Sequence, residues 1–338
     1  MSWTQSEKAI YDLALANVEK TNKAIARVYL KTQREISEQL KAFYLIVSPS
    51  DSKAFQAARL TAIFKDINRR LSVSTKLSTK MIEESYLEQY QSSFYLYAYG
   101  LSAYYSIEAI KAGVTAKWTA LPFKIKPKKT IMASLTEKVG DYSFNNSQIL
   151  GQQQLSESIK EAYRETLREE VAKSIKLGES PIKLAKRLKS SFDTVIAQHI
   201  RTARTEMLKA YSLAQEESIA QAEEMGIEFT FMWLGRADNR ERASHIALNN
   251  TYAKIDKRGN PYFEGGGCKG SGPRLMKGGT SRQQKAMNIN CRCRKLAIPM
   301  EIDTTKEFPT KTVDASTKKR PNVSVVVPDF DEYLKTIS

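Results

Sequence analysis

The hydrophobic period of this chain changes at Gly226, and that change does most to limit what it can fold into. Between Asp193 and Gly226 the residues Ile196, Ile200, Ala203, Met207, Ala210, Ala214 and Ile219 recur every three to five positions, which marks one face of a long α-helix. Beyond Gly226, Ile227, Phe229, Phe231 and Trp233 alternate with Glu228, Thr230 and Met232, the period-two pattern of a half-buried strand. Nearly everything upstream of the switch reads as helix. The expected fold is therefore mainly α, with an elongated helical N-terminal region, a small α+β C-terminal module and an extended C-terminal tail.

The upstream segments divide further. Ile10, Leu13, Leu15 and Val18, continued by Ile25, Val28, Tyr29 and Leu30, predict an amphipathic first helix. Ser48-Pro49-Ser50-Asp51-Ser52 breaks it and offers caps for a second, starting near Ser52 and carrying Phe55, Leu60, Ile63, Phe64 and Ile67. A third is predicted from about Ser78 to about Tyr99. Its stripe of Tyr86, Tyr90, Phe94 and Tyr97 suits core packing or, alternatively, base stacking. Residues 118–130 hold two prolines and four lysines, so they read as a loop or arm, touching nucleic acid or simply solvated. Leu155, Ile159, Tyr163, Leu167, Val171 and Ile175 predict another helix, ended by Gly178. Ser180 and Pro181 then open a short helix with Ile182, Leu184 and Leu188 facing inward, and Asp193 caps the long one.

Residues 240–248 read as a short polar helix. Eight glycines between Gly259 and Gly279 predict a long loop over 259–282. The tail has one apolar patch, Val323 to Val327, able to add a strand to a partner. The expected organisation is 1–140 helical region, 141–226 helical half of a domain, 227–300 small basic module and 301–338 tail. The most apolar stretch, residues 94–105, is too short and tyrosine-rich to span a bilayer, so no membrane partner is expected. Three cysteines, an odd number, argue against a disulfide framework and for a reducing, intracellular setting.

Charge locates the functional centre. The net is +16, and residues 231–300 alone hold 14 basic and 4 acidic side chains. Such a field favours a polyanion, and at this density phosphate neutralisation without base reading. The candidates for contacting double-stranded DNA are Lys269, Arg274, Lys277, Arg282, Lys285, Arg292, Arg294 and Lys295.

Three short signatures stand in order. Arg204-Thr205-Glu206 lies inside the long helix. Trp233 is followed by Asp238-x-Arg240-x-Arg242-x-x-His245. Asn290-Cys291-Arg292-Cys293 follows the glycine-rich segment. Their order and intervals resemble the phage Mu F-like family of head-morphogenesis proteins, over residues from about 150 to 298. The resemblance implies a minor head (capsid) protein of a tailed phage. Such a protein sits inside the virion near the portal, after assembly in the host cytoplasm. Its implied partners are the portal or major capsid protein and packaged DNA. Such modules are sometimes joined to toxin domains, so a head-delivered enzyme of ADP-ribosyltransferase or nuclease type is the alternative.

Arg204, Glu206, Asp238, Arg240 and Arg242 are expected to form a structural ion-pair network, since a buried arginine needs a carboxylate. His245, Cys268, Cys291 and Cys293 match a Cys₃His structural zinc set in type and number, with packed reduced thiols as the other reading. No P-loop, H-E-x-x-H or G-x-S-x-G is present, so neither an enzyme nor a small-molecule substrate is expected.

Overall fold

Two long helices open the fold. The computed structural model describes residues 3–46, 53–112, 119–135, 169, 181–236, 238, 240–302 and 311–312. Helix α1 spans Trp3–Ile46 and α2 spans Lys53–Lys111. They form an antiparallel hairpin: Thr21 meets Ser85, Thr32 meets Ser74 and Gln39 meets Asp66. The expected restart near Ser78 does not occur. Ser74, Thr75 and Ser78 each donate their hydroxyl to the carbonyl four residues back, so the polar run stays helical. The aromatic stripe is core: Tyr86, Tyr90, Phe94 and Tyr97 are all buried. Burying rings of this size contributes about 1.5–3 kcal/mol each, before entropy is subtracted.

After α2 come strand β1, Thr119–Ala120, and helix α3, Lys128–Ser134. The lysine-rich arm therefore ends in a helical turn instead of remaining extended. The helix expected over residues 155–175 lies outside the described residues, apart from Glu169. Helix α4 spans Pro181–Glu224 without a break at Asp193. Proline at its first position suits a site whose N–H has no intrahelical acceptor. α4 runs antiparallel to α1, with Tyr29 against His199 and Tyr11 against Tyr211. The inward residues Ile196, Ala203, Met207, Ala210, Ala214 and Ile219 are buried as the spacing predicts.

The period switch is real. Strand β2, Ile227–Leu234, buries Ile227, Phe231 and Trp233 on one face. It is flanked by β3, Thr251–Tyr252, and by β8, Arg294–Ile302, both antiparallel. Between them lies a correction. Residues 259–282 are not a loop but contribute to a second antiparallel sheet in the order β4-β5-β6-β7: Lys254–Ile255, Pro261–Gly265, Cys268–Gly270 and Met276–Lys277. Gly266 and Gly267, at φ 58° and 76°, form the two-residue turn between β5 and β6. Positive φ at both positions is the type I′ form of a two-residue hairpin turn, which glycine adopts without strain. Two helices complete the module: the single turn α5, Ala243–Ile246, and α6, Ser281–Asn288. Thr280 and Gln283 cap α6 reciprocally. Of the tail, Lys311–Thr312 forms β9 and pairs with β1. The apolar patch at 323–327 lies outside the described residues. No helix among the described residues is long and apolar enough to cross a membrane.

The start of the chain is tied to the module. Trp3 Nε1 donates to the Ala297 carbonyl at 2.5 Å, and the Tyr11 hydroxyl donates to the Arg292 carbonyl at 2.5 Å. Between them Glu7 is fully buried, and one of its oxygens accepts from Gln215 Nε2 and from the Ala297 N–H. Arg294 stands 3.9 Å from the other oxygen, which has no hydrogen bond. Burial outweighs the Ala297 N–H and the Arg294 and Lys295 charges, and raises the Glu7 pKa from 4.5 to about 8. The folded state therefore holds a proton that the unfolded chain releases. Stability should fall as pH rises from about 4.5 to about 8, by at most about 1.4 kcal/mol per pH unit. Glu7→Gln should flatten that part of a melting-temperature profile. A profile identical to wild type would show Glu7 ionised in the fold.

Candidate metal centre

One turn of helix, an extended Cys-x-Cys and a backbone carbonyl together build the centre. α5 delivers His245, which is buried. Its Nε2 lies 3.2 Å from the Ala286 carbonyl, which can only accept, so Nε2 carries the hydrogen and Nδ1 offers a lone pair. Nδ1 faces two thiols, Cys293 Sγ at 3.3 Å and Cys291 Sγ at 3.7 Å. In an extended segment residues i and i+2 share a side, so Cys291 and Cys293 both turn inward while Arg292 turns away. The three ligand atoms all lie within 4.8 Å of one another, a group that could hold a metal ion. Donating the second ring nitrogen to a carbonyl is the usual support of a metal-binding histidine.

Cys268, expected as the fourth ligand, is not in this group. Its thiol donates to the Gly278 carbonyl at 3.3 Å, inside an apolar cluster with Phe263, Met276 and Met287. The two grouped thiols differ in acidity. Burial raises Cys291, but hydrogen bonds with Cys293 and His245 and the field of Arg274 overcome it, leaving its pKa below the ordinary value. Cys293 is raised by its hydrogen bond to Cys291 and by burial.

The three sequence signatures converge here, with partners other than those expected. Thr205 Oγ1 accepts the Asn290 N–H at 2.9 Å, and Arg204 donates to Asn290 Oδ1 at 3.2 Å. Asn290 adopts φ 55°, a conformation asparagine tolerates better than most residues. Asp238 is gripped at both oxygens by Arg292, and it accepts the Arg240 N–H at 3.0 Å. Arg242 donates to the Ala286 and Ile289 carbonyls at the end of α6. Trp233 packs edge-on to His245 and Phe263. Glu206 joins none of them. It is buried on another face of α4, and burial raises its pKa to about 7 against the field of Lys209. Of the expected network only Asp238 is ion-paired among the described residues, and with arginines outside that network, Arg292 and, at 3.8 Å, Arg236; Arg204 has no carboxylate within ion-pair distance among them.

The eight DNA candidates divide in the structure. Lys269, Lys277 and Arg282 are exposed and Lys285 is half-buried. Arg274 and Lys295, each 3% exposed, are withdrawn from any DNA surface. Arg274 donates to Ser212 Oγ and to the Cys291 and Cys293 carbonyls, while Lys295 pairs with Glu216. Arg292 is spent on Asp238, and Arg294 is largely covered beside Glu7. Sequence reasoning also missed Arg236 and Glu241. They join Arg204 and Arg240 around a pocket of about 80 Å³ whose floor includes His245, Cys291 and Cys293. Their proximity to Arg240 in the chain was the available signal.

A helical scaffold with a small β module, its three motifs gathered on a His/Cys/Cys cluster, is the class of protein this geometry defines. Residues 165–296 match the family model described as Phage Mu protein F like protein, so that segment is similar to that family. It is also 24% identical over 299 residues to the NAD(+)--arginine ADP-ribosyltransferase EFV of Enterococcus faecalis (strain ATCC 700802 / V583). The alignment covers 86% of this chain and 54% of that protein, so the chain spans about half the length of this curated relative. No solved structure matches.

Proposed function

We propose that the chain is a minor head protein of a tailed phage, acting in head morphogenesis without enzymatic activity. It docks on the portal or the inner capsid surface, contacts packaged double-stranded DNA without base preference, and holds one zinc ion at His245, Cys291 and Cys293. The match of residues 165–296 to the Mu F-like family carries this reading. Quantitative mass spectrometry of purified particles tests it. A few copies per particle, retained after nuclease treatment, are expected, whereas absence from DNA-filled heads would overturn it.

The DNA contact has its own measurement. Exposed Lys269, Lys277 and Arg282, with half-buried Lys285, leave the module's surface strongly basic. Replacing all four by Gln should lower the slope of log K against log salt by up to about 3.6, at ~0.9 for each phosphate left without its cation. An unchanged slope would move the contact elsewhere.

A second reading is favoured by the relative's name: a head-delivered enzyme that modifies arginine with NAD(+). The chain aligns with only 54% of that protein, which leaves the transferase open to assignment outside the shared part. Incubation with labelled NAD(+) and an arginine-rich acceptor separates the readings. Transfer of label would favour the enzyme.

A further inference from the structure

We propose that the pocket above the His/Cys/Cys cluster is a binding subsite for a phosphate group, walled by Arg204, Arg236 and Arg240. Three chain segments far apart in sequence build it: α4 at Arg204, Arg236 with Arg240, Glu241 and Arg242 after β2, and the turn from Asn290 to Cys293. Five guanidiniums line or border the pocket against two carboxylates, Asp238 and Glu241. Asp238 is committed to Arg292 through both oxygens. Glu241 lies 3.8 Å from Cys293 Sγ. Arg242 has spent donors on two carbonyls. Arg236 Nε also stands 3.8 Å from Asp238 Oδ2 and Arg204 donates to Asn290 Oδ1, so by count five guanidiniums against two carboxylates leave an excess of positive charge around one concavity.

Holding like charges together costs free energy that an anion returns, most at Arg204, which unlike Arg236 and Arg240 is partly withdrawn from water. The strain is visible at Arg204. Burial first, then the fields of Arg292, Arg240 and Arg236, outweigh the helpful field of Glu19 and lower its pKa. The shape selects the anion. Guanidinium forks match the oxygens of a tetrahedral oxyanion, and arginines on several sides favour phosphate over a planar carboxylate. About 80 Å³ admits one such group while the rest of its molecule stays outside, far below the ~300 Å³ of a pocket that encloses a whole ligand. Neither the zinc assignment nor the head-protein reading is needed for this inference.

The phosphate could be a terminal phosphate of nucleic acid or a free ion, and the test distinguishes these sources. Inorganic phosphate is titrated with the intact protein at constant chloride, reading the ³¹P linewidth. Saturable broadening is expected. Arg240→Gln should weaken binding at least threefold and Arg204→Gln/Arg240→Gln at least tenfold, while Lys80→Gln, at an exposed lysine of α2 paired with Glu84, leaves it unchanged. A duplex with 5′-phosphate is then compared with the same duplex ending in 5′-hydroxyl as competitors. Preference for the phosphorylated end assigns the subsite to nucleic acid, and equal competition assigns it to the free ion. Either result keeps a phosphate subsite. Broadening that does not saturate, or that Arg240→Gln leaves unchanged, overturns it. Arg240 is exposed, so its variant keeps the test decisive if the double variant does not fold.

Discussion

Protein purified without chelator is expected to carry one zinc per chain, and Cys293→Ser to lose it. Zinc sits about 2.3 Å from sulfur and about 2.0–2.1 Å from nitrogen in tetrahedral geometry, which sets the S–N edge of its coordination shell at about 3.6 Å. The observed Sγ–Nδ1 separations are 3.3 and 3.7 Å, so both sulfur–nitrogen edges are already close to that length. Two features favour a set of three residues over one that includes Cys268. Cys268 is engaged with Gly278, and the group's remaining side opens toward the pocket. Cys268→Ser should therefore retain the metal. Three protein ligands and an open fourth position resemble catalytic zinc sites more than closed structural ones. The fourth ligand would be water, an anion or Glu241. Free zinc at 1,000 times its dissociation constant stabilises the fold by about 4 kcal/mol, so chelation should lower the melting temperature markedly. Elemental analysis with thermal unfolding decides. Zinc well below one per chain, with Cys293→Ser melting like wild type, leaves only packed thiols.

The sequence made the helices legible because their apolar spacing survives tertiary packing. Tyr86, Tyr90, Phe94 and Tyr97 face the core, as do Ala203, Met207 and Ala210. Boundaries were less legible. A run such as Ser74, Thr75 and Ser78 looks like a break until its hydroxyls are seen bonding back to the helix. The second sheet was hidden because its strands are two to five residues long, too short to show alternation. Glycine density pointed to an irregular loop where Gly266-Gly267 was in fact a hairpin signal.

The site was half legible for a related reason. Residue type and order brought His245, Cys291 and Cys293 together correctly. Partner choice did not follow, since it depends on which elements touch. Asp238 meets Arg292, 54 residues on, and Arg204 meets Asn290 instead of an acid. Charge counting has the same limit. Lys269 and Arg274 contribute equally to the basic excess of residues 231–300, although one lies on the surface over the Tyr262 ring and the other is sealed inside.

Arg274→Met should therefore act on stability and not on DNA affinity. The guanidinium joins α4 to the Cys-x-Cys segment: Nε and Nη2 donate to Ser212 Oγ at 3.0 and 2.8 Å, and Nη1 donates to the Cys291 and Cys293 carbonyls at 3.1 and 2.7 Å. Removing it strands three buried acceptors, at about 1–3 kcal/mol each. Relief of the buried charge offsets part of this, because a guanidinium is weakly hydrated and loses less on burial than an ammonium. A net loss of about 3 kcal/mol or more is expected. Arg274→Lys should not rescue it, since one ammonium cannot span both a hydroxyl and two carbonyls. Arg274 also adopts φ 69°, which costs a non-glycine residue about 1–2 kcal/mol. Arg274→Gly should accordingly be less damaging than Arg274→Ala by about that amount, separating backbone strain from the hydrogen bonds. Because the two carbonyls belong to the proposed zinc ligands, Arg274→Met should lower metal occupancy as well. The salt slope of DNA binding should stay at its wild-type value, measured below the variant's melting temperature. Wild-type melting together with a slope reduced by about 1 would return Arg274 to the DNA surface.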